Sequence, residues 1–195
     1  LFNTADRFIG HVPGGMAMAT VAGDTAFKAI CGSSPATAAT FASVAVPEMD
    51  RYNYVKKLST GSVATVGTLG ILIPPSVTLI VFGIITELSI GRLFLAGLIP
   101  GLIIAFFFIV IIYGWCKINP KIGPKGEKST WKERIKSLPE FLLVFIIFVL
   151  MIIGLMTGKF TPTEAGSVGT GLVLFMSILR RDINFKGFLK SVAES

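Results

Sequence analysis

Histidine is almost absent from this chain, which holds His11 and no other. No cysteine or histidine stands at ligand spacing from it, so a histidine-based metal site is excluded and His11 reads as an interfacial residue. A hydrolase reading is weak on similar grounds. Ser33 has no His or Asp beside it, "GSS" is not a nucleophile elbow, and His11 is badly placed for a general base. Cys31 and Cys116 lie far apart beside apolar segments and read as free thiols, not as a disulfide or metal pair. No glycine-rich phosphate loop with a following lysine occurs, which argues against nucleotide-driven transport within the chain. The start lacks the basic region, apolar core and cleavage site of a signal peptide. Charge is also scarce, at 15% of residues, with a net +7. In a soluble protein that surplus would suggest nucleic acid, but no such motif appears and the basic residues fall between apolar runs.

What the chain has instead is apolar sequence. Of its 195 residues 52% are hydrophobic, and the mean hydropathy is +0.76. Those values fit a polytopic membrane protein. Residues 93–116, "LFLAGLIPGLIIAFFFIVIIYGWC", easily exceed the roughly 20 apolar residues of a spanning helix. Residues 141–156, "FLLVFIIFVLMIIGLM", reach that length with their flanks. No soluble domain and no close tandem repeat is visible. The chain begins at "LFNTADRF" and ends at "FLKSVAES", and reads as a piece of a longer polypeptide.

Basic residues gather in 47–57, 117–136 and 180–190, which the positive-inside rule places in the cytoplasm. The connections 86–92, "TELSIGR", and 157–164, "TGKFTPTE", are balanced in charge and belong outside. Crossings at 58–85, 93–116, 138–156 and 165–179 then alternate consistently between the two sides. The last is short and glycine-rich and is expected to start near Thr161 or Thr163. Within the basic loop, "TWKERIKSLPEF" reads as an amphipathic surface helix with Trp131, Ile135 and Leu138 towards lipid.

The first fifty residues do not make a simple span. They are rich in Ala, Gly, Ser and Thr, with two helical arms at about 13–31 and 36–49 around "CGSSP". Either the arms form a re-entrant hairpin with both feet inside, or they form one broken span. The short second arm and the polar tip favour the hairpin, which needs a protein-lined or wet cavity at its tip. Asp24 and Lys28 sit four residues apart on one face of the first arm. An ionisable group within a membrane is a functional candidate. The plainer reading, preferred here, is a local ion pair on a protein-facing or aqueous side.

A second break lies inside the crossing 58–85, in "GTLGILIPPS" (67–76). Pro74 and Pro75 donate no backbone hydrogen bond, and Gly67 and Gly70 weaken the helix before them. Such breaks leave carbonyl oxygens at one half-helix end and N–H groups at the other. The first suit Na⁺ and the second a carboxylate. Ser33, Ser34, Thr37, Thr65 and Thr68 add neutral oxygens. The competing reading is a proline kink used only for packing, in a channel or scaffold-type membrane protein.

These stretches, in order, resemble the large membrane subunit of tripartite ATP-independent periplasmic (TRAP) transporters. The resemblance rests on "LFNTADRFIGHVPGGMAMATV", "GSSPATAATFASVAVPEM", "GTLGILIPPSVTLIVFG", "SIGRLFLAGLIPGL" and "GKFTPTEAGSVG". It implies an all-α polytopic membrane protein with the inverted-repeat fold of the ion-transporter superfamily, carrying a re-entrant helical hairpin and a broken transmembrane helix. One repeat and its flanking helices would be present. The parts would be hairpin and feet (1–57), broken helix and next span (58–116), basic linker and surface helix (117–137), and two further spans with the cytoplasmic end (138–195). The implied activity is elevator-type, Na⁺-coupled uptake of an organic acid, such as a C4-dicarboxylate or a sialic-acid-like carboxylate, with no other cofactor and no enzymatic step. A periplasmic binding protein would deliver the substrate and a small membrane subunit would brace the scaffold in a bacterial or archaeal inner membrane. Sodium ligands would fall around Ser33, Ser34, Gly67, Thr68 and Gly70, with Thr37, Thr65, Pro74 and Pro75 completing the site. The family's large subunit is about twice this length, and its members usually carry small or apolar residues where Asp24 and Lys28 stand.

Overall fold

Glycine, proline and serine mark several of the helix boundaries among the described residues. The computed structural model describes residues 2–31, 33–126, 131–157, 159, 161, 164, 167–169, 171–172 and 174–175. Every regular element among them is helical. They are α1 (Phe2–Ile9), α2 (Gly15–Cys31), α3 (Ser34–Arg51), α4 (Lys56–Gly67), a 3₁₀ turn (Thr68–Ile71), α5 (Val77–Thr86), α6 (Ile90–Ile118) and α7 (Trp131–Met156).

Helix α2 is the centre of the bundle, packed by α1, α3, α4, α6 and α7. Its alanines, glycines and threonines let those neighbours approach closely, and the stretch from Met16 to Val21 is almost wholly buried. Helix α3 begins where Ser33 caps it, its hydroxyl accepting from the Ala36 N–H, with Pro35 in the first turn. Thr37, Phe41, Ala45 and Met49, four residues apart, form its buried stripe.

Helices α2 and α3 fold back on each other as an antiparallel hairpin. Lys28 reaches Thr37 near the tip, the Phe27 and Phe41 rings meet edge to face at 5.8 Å, and the Met16 N–H donates to the Tyr54 hydroxyl at the feet (3.3 Å). The two arms are thus folded back on each other and not stacked end to end. Burial pushes the Tyr54 phenol up to about 12, so it stays neutral at the feet. The loop after α6 ties down the same end. Gly14 donates to Gly123 O (2.9 Å), Gly126 to Gly10 O (2.8 Å) and Val55 to Ile122 O (3.0 Å). Gly14 needs to be glycine: its φ is +74°, and a Cβ there would lie 2.7 Å from Cys116 Sγ.

The crossing expected at 58–85 is two helices, α4 and α5, and the one expected at 93–116 is α6. Helix α6 has 29 residues and a most apolar window of mean hydropathy 2.9. At about 1.5 Å per residue it is roughly 43 Å long, enough to span a bilayer. Ile99, Phe106 and Ile111 are each at least 60% exposed along its outer face, where a soluble fold would bury them. Among the described residues, Val77–Thr86 and Phe145–Gly154 are apolar but shorter than a span.

Helix α7 runs unbroken through Pro139, so "TWKERIKSLPEF" continues directly into the apolar segment after it. Ile135 is exposed, while the side chains of Trp131 and Leu138 lie outside the described residues. Thr4 of α1 donates to Ser137 O of α7 (3.1 Å). Thr161 and Glu164 then form a capping box. The Thr161 N–H and hydroxyl both donate to Glu164 Oε2, and the Glu164 N–H donates back to Thr161 Oγ1. The expected helix start therefore falls at Thr161; Thr163, most of 165–179 and all of 180–190 lie outside the described residues.

Removing the Tyr54 hydroxyl leaves the buried Met16 N–H without its acceptor. Tyr54→Phe in the complete permease is expected to cost about 1–3 kcal/mol. Thermal unfolding in detergent should show a lower midpoint than the native protein; an unchanged midpoint would show that the hairpin feet do not need this bond.

Candidate functional site

The two breaks foreseen in the sequence meet in space. A methyl group placed on Gly70 would land 3.2 Å from Ser34 Cβ and in contact with Ser34 Oγ. One placed on Gly67 would lie 3.5 Å from Ala38 Cβ. The start of α3 is therefore pressed against the end of α4 and its 3₁₀ turn, which only small residues on both sides allow.

The backbone at this junction has acceptors to spare. The helical donor for the Gly70 carbonyl would be Pro74, which has no N–H. The alternative donor, Ile73, is spent on Leu69 O at 3.0 Å. Ser76 closes the far side of the break. Its buried hydroxyl donates to Ile71 O (2.8 Å) and accepts from the Leu79 N–H (3.3 Å), so one side chain ends the turn and caps α5. Pro74 is fully buried, Pro75 partly so, and the bond between them is cis.

Helix α6 covers the break from the other side. A Cβ on Gly97 would lie 2.7 Å from Leu72 O, and one on Gly101 3.1 Å from Ile73 Cγ1. These glycines form a G-x-x-x-G step in "LFLAGLIPG", a close-packing signal the sequence reading left unused.

The predicted site residues divide into two sets. Ser34, Gly67 and Gly70 converge, with Ser33 beside them as the cap of α3. Thr37 lies one turn deeper, fully buried; its hydroxyl donates to Ser34 O (3.0 Å) and accepts from Lys28 Nζ (2.7 Å). Thr65 and Thr68 are exposed and return their hydroxyl protons to their own helix, at Gly61 O and Thr65 O, both at 2.7 Å. Thr65 instead lines a groove of about 170 Å³ between α2, α4 and α6. A helical wheel explains this: threonines three apart share one face, and here that face is not the one turned to the hairpin.

Asp24 and Lys28 form the local i,i+4 pair of the plainer reading, on a protein-facing side, with one partner that reading did not include. The pair exists, at 2.7 Å, with each residue about 1% exposed. Lys28 also holds Thr37 on the opposite arm, so the pair joins the two arms. The i,i+4 spacing was visible in the sequence; the third partner came from the fold.

Comparison with known proteins gives the chain a family. The family model described as "Tripartite ATP-independent periplasmic transporter, DctM component" matches residues 1–195. The chain belongs to the DctM family. Among relatives of this DctM-family chain is a C4-dicarboxylate TRAP transporter large permease of Pseudomonas aeruginosa, 36% identical over all of this chain and 45% of its own length. A sialic acid TRAP large permease of Vibrio cholerae is 32% identical over 100% of this chain and 45% of its own length. An isethionate TRAP permease of Oleidesulfovibrio alaskensis is 35% identical, with 100% and 31% covered. The chain thus spans less than half the length of these curated relatives. They are named as transport permeases, so the family is one of transporters, not enzymes, and the protein is a membrane protein.

The junction's packing makes a discriminating pair of variants. Gly67→Ala fits at ordinary contact distance, whereas Gly70→Ala collides with Ser34. In the complete permease, Gly67→Ala is expected to leave thermal stability near native. Gly70→Ala should lower it by about 1–3 kcal/mol, the usual cost of overpacking. Equal effects of the two would mean that Ser34 and Gly70 are not in contact.

Proposed function

We propose that this chain is part of the large permease subunit of a Na⁺-coupled TRAP carrier for a small organic acid. The observation that carries the reading is the meeting of Ser34, Gly67 and Gly70 where a carbonyl has lost its helical donors. A helix unwound beside a hairpin tip offers neutral oxygens to an alkali cation, and the positive end of α5 lies just past the break. Na⁺ would sit near Ser33, Ser34, Gly67 and Gly70. Thr68 would take part only if its exposed oxygen turned in, and Thr37 is already engaged by Lys28.

In this reading the α2–α3 hairpin is re-entrant and belongs to a moving, elevator-type unit. A second half of the subunit would supply the inverted repeat and its own hairpin. The organic acid would arrive on a periplasmic binding protein, and a small membrane subunit would brace the scaffold; one relative is named DctMQ. The basic loops would face the cytoplasm across a bacterial or archaeal inner membrane. The named substrates of relatives include C4-dicarboxylate, isethionate, sialic acid and ectoine, each carrying an acid group, which supports an organic-acid cargo without choosing one.

The test is uptake by the complete complex in proteoliposomes, with the binding protein and a panel of organic acids outside. An inward Na⁺ gradient is expected to drive accumulation, and replacing Na⁺ by K⁺ should abolish it. Ser34→Val, which removes the hydroxyl at the junction, is expected to cut initial uptake at least about tenfold, or about 1.4 kcal/mol. Uptake indifferent to Na⁺ would sink the coupling. Uptake unaffected by Ser34→Val would sink the site and favour breaks that serve packing alone.

A further inference from the structure

Lys28 is among the largest fully buried side chains of the described residues, and the one charged amine there. Its ammonium holds an oxygen from each arm of the hairpin: Asp24 Oδ2 of α2 and Thr37 Oγ1 of α3, both at 2.7 Å. Those are the lengths of charge-assisted hydrogen bonds. Thr37 passes the contact on to Ser34 O at 3.0 Å, and Ser34 is the residue pressed against Gly70. The other carboxylate oxygen, Asp24 Oδ1, is buried and has no hydrogen-bond partner among the described residues, and the same is true of Thr25 Oγ1 in the next position. The Asp24 carboxylate, with one oxygen to spare, and the Thr37 hydroxyl, both turned to the ammonium, form the inner lining of a site for a small monovalent cation. The lysine side chain fills it.

We propose that the Lys28 ammonium is a tethered cation occupying a monovalent-cation site inside the hairpin, and that removing it opens this site to Na⁺, K⁺ or methylammonium. Burial is why a cation must be there: an ionised carboxylate shielded from water is tolerated only when paired. A tethered cation never leaves, so the two arms stay clasped whatever the ions outside do. It also takes Thr37 out of the exchangeable ion's reach, which confines that ion to the Ser34–Gly70 side of the tip. The bearing of this on transport rests on the carrier reading above; the clasp itself does not.

Thermal unfolding of the complete permease tests it, with N-methylglucamine as the inert large cation and NaCl, KCl or methylammonium chloride titrated in at constant ionic strength. Lys28→Ala is expected to lose several degrees in N-methylglucamine and to recover them, saturably, with at least one small cation. The native protein lacks that added response. So should Asp24→Leu/Lys28→Met, which removes the charge and keeps the site filled. Lys28→Ser, adding an oxygen ligand, should recover at lower cation concentration than Lys28→Ala. A cation response in Lys28→Ala no different from native overturns the proposal, as does recovery on acidification alone. Failure of both single variants to accumulate in cells also overturns it, because cellular K⁺ should fill the vacated site. Na⁺-independent uptake by the native complex would sink the carrier reading and leave this result standing, so the two fail separately.

Discussion

A carbonyl without a donor is expensive wherever water is excluded, and at membrane depth the cost reaches several kcal/mol. Pro74 forces that situation on Gly70, because the residue that should donate has no N–H. Much of the surrounding structure keeps this group away from lipid. The start of α3 lies against one side at Ser34, Gly97 and Gly101 bring α6 against the neighbouring Leu72 and Ile73, and Ser76 satisfies both ends of the remaining gap. Small residues recur at each contact because a wider side chain would hold the covering helix off and leave room for lipid.

The same logic governs the charged pair. Burying two ions repays its desolvation only with good geometry and further hydrogen bonds, and losing one partner typically costs about 3–5 kcal/mol. Asp24 and Lys28 meet the geometric condition at 2.7 Å, and Thr37 supplies the further bond. Because Thr37 is on the other arm, the pair links the arms instead of decorating one helix. A stretch of backbone at the tip is thereby supported from within by the charge pair and from outside by the broken helix. The start of α3, at Ser33 and Ser34, is thus held from both sides.

Much of this architecture was legible in residue order. "GTLGILIPPS" and "CGSSP" marked the breaks because proline lacks a donor and glycine lacks a stabilising side chain, and neither fact depends on context. The length and apolarity of 93–116 marked α6. Less legible was the direction of each hydroxyl. Ser34 and Thr65 look equivalent in sequence, yet Ser34 sits at the junction and Thr65 lines a groove against α6, since helix rotation is set by which face finds a partner. The continuity of α7 through Pro139 was missed for a related reason: a proline ends a helix unless packing on either side holds the two parts in line.

Composition and local chemistry alone therefore determined that the chain is helical, belongs in a bilayer and is interrupted between α2 and α3 and again within 67–76, because apolar run length and missing backbone donors are properties of the chain itself. Which oxygens face one another, that Lys28 bridges two arms, and that the two breaks share one junction were decided only by the tertiary structure. Those outcomes depend on how helices distant in sequence rotate and approach, and that is set by the fit of small residues against the neighbours they meet.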